Sequence, residues 1–519
     1  MDGILRYLFI LHILLLALIA DEDLKTLLNK YALEADLSHQ TKKEAEGYLL
    51  VFSRQDLDRM QIRSLNELIE QIPMMRYNES NNGLTSPLYR PYQPDETAWI
   101  QVYINDRALI SPFTGSGLKL FGQMDIGYID HAEVYFGIPS QTLGIEASAL
   151  VIKLYTKDPA RENTTLIGAL TDTLKTGEVF GLSAKKVENF SYMAYLNFRN
   201  LKRSDVEYNN TPLSRDKRSV NFYGEIRTDH QRFELHALRA HFDNFMGQSI
   251  NLDPLSTYTD IDYIYAGWYY QDDTKGLKAY INYAKDWTER FERSATIAGI
   301  YPTSTFPYYG VYQQLYLKMH ESISDLYLAK LLKWKNITSR FGIQSRFKYF
   351  TFDRVLFDDL TIYFPNDYSR ETILSIFNEN TISIDPSRML IASLKADRYI
   401  ENGMIQDYSL FSGRLGYIYN KDHWVSKSFL FYGDFVPSIY KLYVNRYLYN
   451  NTNTIQKERV YSVSSKLTHR TTQADYSLLA AYSVIRDASY FDPQTTTIKN
   501  LEDDTIYETR SFCIVLVLL

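Results

Sequence analysis

The chain has 519 residues, 45% of them hydrophobic and 15% aromatic, with 56 basic against 62 acidic side chains for a formal charge of −6. This composition excludes a disordered polyelectrolyte and a collagen-like fibre, and it supplies no basic field for nucleic acid. A single cysteine, Cys513, leaves no internal disulfide and no thiolate cluster for zinc.

An apolar run from Tyr7 to Ile19, ending at Ala20 before Asp21-Glu22-Asp23, has the length of a signal-peptide core and is short for a membrane-spanning helix. Residues 1–20 therefore read as a cleaved signal peptide, and a membrane protein without later long apolar helices must cross as a closed β-barrel. Residues 21–46 form an N-terminal segment in which Leu24, Leu27, Leu28 and Tyr31 share a helical face.

Helix and strand signals then alternate up to Pro159. Strands are predicted over Tyr48 to Phe52, Trp99 to Ile104, Ala132 to Tyr135 and Ala149 to Tyr155. Ser64 with Glu67 three residues later forms a capping box before Leu65, Leu68, Ile69 and Ile72, and Pro73 stops that helix. Beyond Pro159 the grammar changes to stretches of about ten residues with period two, among them Phe190 to Phe198, Phe233 to Ala237, Leu410 to Tyr419 and Tyr476 to Val484. Alternation places one set of side chains toward lipid or a core and the other toward a wet lumen or solvent, and 44 tyrosines suit a surface with one apolar and one wet end. A soluble β-sandwich or propeller is the competing architecture, but no blade motif repeats.

The ordered motifs of the first region resemble the plug domain of TonB-dependent outer-membrane receptors. Val51-Phe52-Ser53-Arg54-Gln55-Asp56-Leu57 is similar to the opening strand and its turn into a helix, and Ser64 to Pro73 to the helix that follows. Val102-Tyr103-Ile104-Asn105-Asp106 is similar to a strand ending in a tight turn. Ile129 to Gly137, with Ser140, Leu143-Gly144 and Ala149 to Lys157, resembles the family's Glu-bearing strand, glycine turn, Ser/Gly loop and final strand closing on Thr-Lys. Arg107 stands in place of a usual turn glycine and Phe136 in place of a usual arginine.

The resemblance implies a mostly β protein. Residues 47–159 would form an α+β plug inside a C-terminal antiparallel transmembrane barrel of residues 160–519. It implies energised uptake of a scarce ligand, a ferric siderophore first and otherwise cobalamin or haem, with the inner-membrane TonB complex, a small extracellular ligand and outer-membrane lipid as partners, and the bacterial outer membrane as location. Asp106, Glu133, Gly137, Ser140, Gly144, Lys153 and Lys157 are the plug-motif residues it singles out, for structure and gating. A non-transporting surface or adhesion protein, or a degenerate receptor fragment, is the alternative.

On the residues themselves, a buried Glu133 needs a basic partner from the barrel wall, Asp106 reads as an Asx-type turn, and Lys153 and Lys157 as solvated charges on one strand face. His236 and His241, five apart on a strand, point to opposite faces and make a poor shared metal site, with His230 nearby. No nucleophile elbow, phosphate loop or zinc-protease motif is present, so neither an enzyme nor a resident cofactor is expected. Residues 160–519 supply about 14–16 strands, fewer than in plugged transporters, and Cys513 to Leu519 does not alternate, so the barrel is expected to be incomplete.

Overall fold

In the computed structural model the described residues are 47–518 except 74, 80–84, 89–99, 137–142, 147, 209, 244–253, 300–310, 359, 363–368, 404–405, 444, 446–453, 472–473, 493–496 and 502–506. The expected signal peptide, the 21–46 segment, Gly137 and Ser140 lie outside them.

The inner domain is a five-stranded sheet in the order Tyr48–Phe52, Ile129–Phe136, Leu150–Thr156, Ile100–Ile104, Arg107–Leu109. Leu150–Thr156 runs parallel to Ile100–Ile104 and antiparallel to Ile129–Phe136. Two short helices, Arg54–Arg59 and Leu65–Glu70, flank it, and both begin with a complete capping box, Ser53 with Asp56 and Ser64 with Glu67. Each box satisfies amides that a helix start leaves bare, which matters for helices of only six residues. Leu65, Leu68 and Ile69 are fully buried, each contributing about 1.5–3 kcal/mol of transfer free energy. They share one apolar core with barrel-wall residues such as Tyr195, Tyr223, Tyr265 and Ile323.

Apart from three two-stranded ribbons, Arg76–Glu79 with Thr85–Leu88, Val206–Tyr208 with Thr211–Leu213 and Ser489–Asp492 with Thr497–Asn500, the remaining described strands close around this domain as an antiparallel barrel. The strands of Leu277–Gly299, Val311–Trp334 and Ile337–Phe357 are the longest, and tight turns at Glu188-Asn189, Lys335-Asn336, Pro386-Ser387 and Asp422-His423 close one end of the barrel. Longer connections occupy the other end. The period-two pattern appears directly in burial: Ile376 is 61% exposed on the outer wall, and the next residue, Phe377, is 2% exposed inside. No helix among the described residues is long and apolar enough to cross a membrane. The outward wall carries exposed apolar side chains such as Ile167, Leu235, Ile376 and Leu415, the pattern of a barrel surface that faces lipid.

The non-alternating end of the chain, the ground on which an incomplete barrel was expected, is a paired strand: Tyr507–Leu518 pairs residue by residue with Ala474–Arg486, from Ile485 opposite Tyr507 to Ala474 opposite Leu518. It stands between that strand and Thr165–Thr171 in the barrel. Backbone pairing does not depend on alternation, because every residue supplies the same amide and carbonyl.

Candidate functional site

The features that define a site lie along the seam between the plug and the barrel wall. At the tight-turn end, the hairpin of Ile100–Ile104 and Arg107–Leu109 turns through Asn105 and Asp106. Asn105 carries the left-handed conformation, φ 54°, which asparagine tolerates and which leaves position 107 free of any need for glycine. Its amide oxygen accepts from the Thr156 backbone N–H at 3.1 Å, and its Nδ2 donates to Thr156 Oγ1 at 3.1 Å and to Glu234 of the wall at 2.7 Å.

Asp106 does not use its carboxylate in an Asx turn. It accepts from Lys278 Nζ of the wall at 2.6 Å, with Arg232 Nη2 at 3.5 Å and Lys153 Nζ at 4.0 Å. Burial acts to raise its pKa, but Lys278, Lys153 and Arg232 outweigh burial and hold the carboxyl well below the usual range. Arg107 is buried with its guanidinium 4.1 Å from the Tyr265 ring centre and Nη2 2.9 Å from His236 Nδ1. An arginine only donates, so Nδ1 accepts; Nε2 then carries the proton and donates to Asn221 Oδ1 at 2.7 Å. His236 faces the lumen, whereas His241, half-buried, bonds Asp260 and Asp243 from the opposite side of its strand. The two histidines thus serve separate networks.

Halfway up the seam, Glu146 of the plug accepts from Arg346 Nη1 at 3.2 Å and pairs with Lys348. Arg346 is also bidentate to Asp325, at 2.7 and 2.9 Å, a fork geometry that fixes its plane. Burial raises the Glu146 pKa, but Lys348 and Arg346 prevail and lower it. Glu321 of the wall takes the Ser111 hydroxyl at 2.9 Å and the Phe113 amide at 2.6 Å. Against another stretch of the wall, Asp125, accepting from Tyr195 Oη at 2.6 Å and the Gly127 amide at 3.1 Å, has its carboxyl pushed up to about 6 by burial.

At the long-loop end, Phe113 packs into an aromatic cluster of Phe350, Phe352, Tyr440 and Tyr443, with ring centroids 4.6–5.8 Å apart. The short helix Ile439–Tyr443, inside the connection after Trp424–Phe435, folds inward onto it, and its Tyr440 amide donates to the Phe113 carbonyl at 2.8 Å. The turn Ser111–Phe113 is therefore gripped by the wall through Glu321 and by the mouth through Tyr440.

Of the residues singled out from the motifs, Asp106 joins the seam directly. Glu133 is buried; it accepts from Tyr135 Oη at 2.7 Å and stands opposite Lys153 in the strand register. Lys153 and Lys157 are 6% and 8% exposed, which overturns their reading as solvated charges: a plug's outer face is the inside of a barrel. Gly144 is dictated by close approach, since a Cβ there would lie 2.0 Å from Tyr103 Oη. Sequence reading missed Asn105, Arg107 as a cation clamp, Glu146 and Glu321. Only Asn105, next to the Asp106 turn, carried a local signal.

No family model matches the sequence, and no curated protein matches it. Solved structures do match in fold. The siderophore receptor PirA from Acinetobacter baumannii superposes with a TM-score of 0.63 at 12% identity, covering 91% of this chain and 78% of that one. The copper transporter OprC gives 0.67 at 13% identity, covering 91% and 77%, and the FrpB iron transporter from Neisseria meningitidis gives 0.64 at 11%, with the same coverage. The fold is that of the TonB-dependent outer-membrane receptors, a plug seated in an antiparallel barrel. These neighbours are receptors and transporters rather than enzymes.

Proposed function

We propose that this chain is a TonB-dependent transporter of the bacterial outer membrane that draws a scarce ligand through its barrel by rearranging the plug. The observation that carries this reading is the chemistry of the seam. Asp106 and Glu146 of the plug bind the wall, and Glu321 of the wall binds the plug turn at Ser111 and Phe113, through ion pairs and hydrogen bonds that water can replace one at a time during movement. The apolar contacts that remain, such as Tyr128 stacked on Tyr223 at 4.5 Å, orient the plug without welding it.

An iron chelate is the first ligand to test, since PirA is named a siderophore receptor and FrpB an iron transporter; cobalamin and haem follow, and OprC adds copper. The plug-motif residues Asp106, Glu133, Gly144, Lys153 and Lys157, with Gly137 and Ser140, are assigned to structure and gating, and the coupling segment to residues 21–46. The test is uptake of a labelled ferric chelate by cells expressing the chain, with and without TonB. TonB-dependent accumulation, together with crosslinking to TonB from a residue engineered near Asp23, is the expected result. Surface binding with no accumulation and no crosslink under ligand would instead favour the non-transporting surface protein.

A further inference from the structure

The outward wall is not uniformly filled. A recess of about 580 Å³ opens on it, walled by Phe341, Ile376, Leu394 and Phe411, with Asn378 and Ala396 in its floor. The strand register explains the dip. Ala396 stands between Ile376 and Phe411 in one cross-strand row, and Asn378 between Phe341 and Leu394 in the next, so each row has a small or short side chain flanked by large ones. An apolar slot results, two rows tall.

The slot has a polar foot on the side of the tight turns. Asn378 Nδ2 donates to Ser339 Oγ at 3.2 Å and its oxygen accepts from Asn380 Nδ2, three amide and hydroxyl groups on a wall that is apolar above them. Lys330, opposite Phe341 in the register, lines the same recess. Its ammonium donates to the Lys275 carbonyl and keeps two more N–H groups to offer. Four residues further along that strand, Trp334 is 69% exposed, the position of an interfacial aromatic at headgroup level.

We propose that this recess seats a phospholipid with an anionic headgroup, from the leaflet at the tight-turn end of the barrel. One acyl chain fills the slot beside Ala396, and the phosphate rests on Lys330 above the Ser339, Asn378 and Asn380 side chains. The orientation follows from the polarity of the wall: the chain points to the bilayer centre and the charge to the turns. The inference rests on the outer-membrane reading of the barrel, and it adds a lipid site that transport alone does not require.

The full chain is reconstituted in nanodiscs of mixed phosphatidylglycerol and phosphatidylcholine with identical acyl chains, released into mild detergent, and examined by native mass spectrometry for retained lipid. Phosphatidylglycerol is expected to be retained preferentially; Lys330→Ala lowers that preference about fivefold, and Ala396→Trp, which fills the slot, removes retained lipid of both kinds. Lys318→Ala, an outward lysine near the long-loop end, leaves retention unchanged. Equal retention of the two lipids by the unmodified chain, or a preference that survives both Lys330→Ala and Ala396→Trp, overturns the site. Heat-dependent electrophoretic mobility is read on every sample. Its retention confines a negative result to the lipid site, and its absence in the unmodified chain overturns the barrel reading and the site together.

Discussion

Asp106 at the tip of a plug hairpin and Lys278 on the barrel wall, 172 residues apart in sequence, meet at 2.6 Å. Around them Arg232 and Lys153 complete a ring of positive charge on one carboxylate. Asp106→Ala leaves those cations facing one another in a half-buried space. The expected cost is about 2 kcal/mol, read as faster hydrogen exchange of the amides at 105–109 with little change in the wall. The sign of the pH effect follows from the lowered carboxyl. This contribution is present above the unfolded carboxyl value of about 4 and is lost as pH falls through the lower folded value, so the hairpin should loosen in acid in the unmodified chain and lose that dependence in the variant.

Asp125 behaves in the opposite sense. Its folded carboxyl is pushed up to about 6 by burial, so the stability it allows is full below the unfolded value of about 4 and declines as pH rises through about 6. Asp125→Asn keeps an oxygen for Tyr195 and Gly127 and cannot ionise. It is expected to raise the melting temperature at pH 7.5, by about 1–3 kcal/mol of stability, and to flatten the slope between pH 4 and 7 in a thermal series. An unchanged slope would mean that this carboxyl does not titrate there.

At Gly144 the constraint is steric. A methyl group would meet the Tyr103 hydroxyl at 2.0 Å and its ring carbon at 2.9 Å, with both residues packed between plug and wall. Gly144→Ala is expected to cost about 1–3 kcal/mol as overpacking. Adding Tyr103→Phe removes the nearer atom, so the double variant should recover part of the lost melting temperature. Additive losses in that cycle would show that the two positions do not communicate.

Phe113→Ala removes the ring on which the mouth helix rests. With its aromatic neighbours left facing a void, Ile439–Tyr443 should become sensitive to protease added outside cells, at a truncation cost of about 3–5 kcal/mol. Cleavage at an unaltered rate would show that the helix is held by other contacts.

What was legible in the sequence was local. The Ser64 and Glu67 box lies within four residues and folded as read, and the alternation through Leu410 to Tyr419 gave a strand because inside and outside differ at each step. The seam was illegible for the converse reason. Nothing near Asp106 announces Lys278, nothing near Glu146 announces Arg346, and burial of Lys153 arises only once a second domain surrounds it. Arg107, read as a departure from a turn glycine, proved to be a clamp because Asn105 had already absorbed the left-handed residue.

The turn at Ser111–Phe113 has two owners. Glu321 holds its hydroxyl and an amide from the wall, while Tyr440 holds its carbonyl from the mouth. Raising the mouth helix breaks one hold and leaves the other; drawing the plug toward the tight turns strains the wall hold while the mouth still bears on Phe113. Neither event alone frees the turn. On the proposed transport reading the arrangement is an interlock, whose two bolts, one from the wall and one from the mouth, cross in a single peptide.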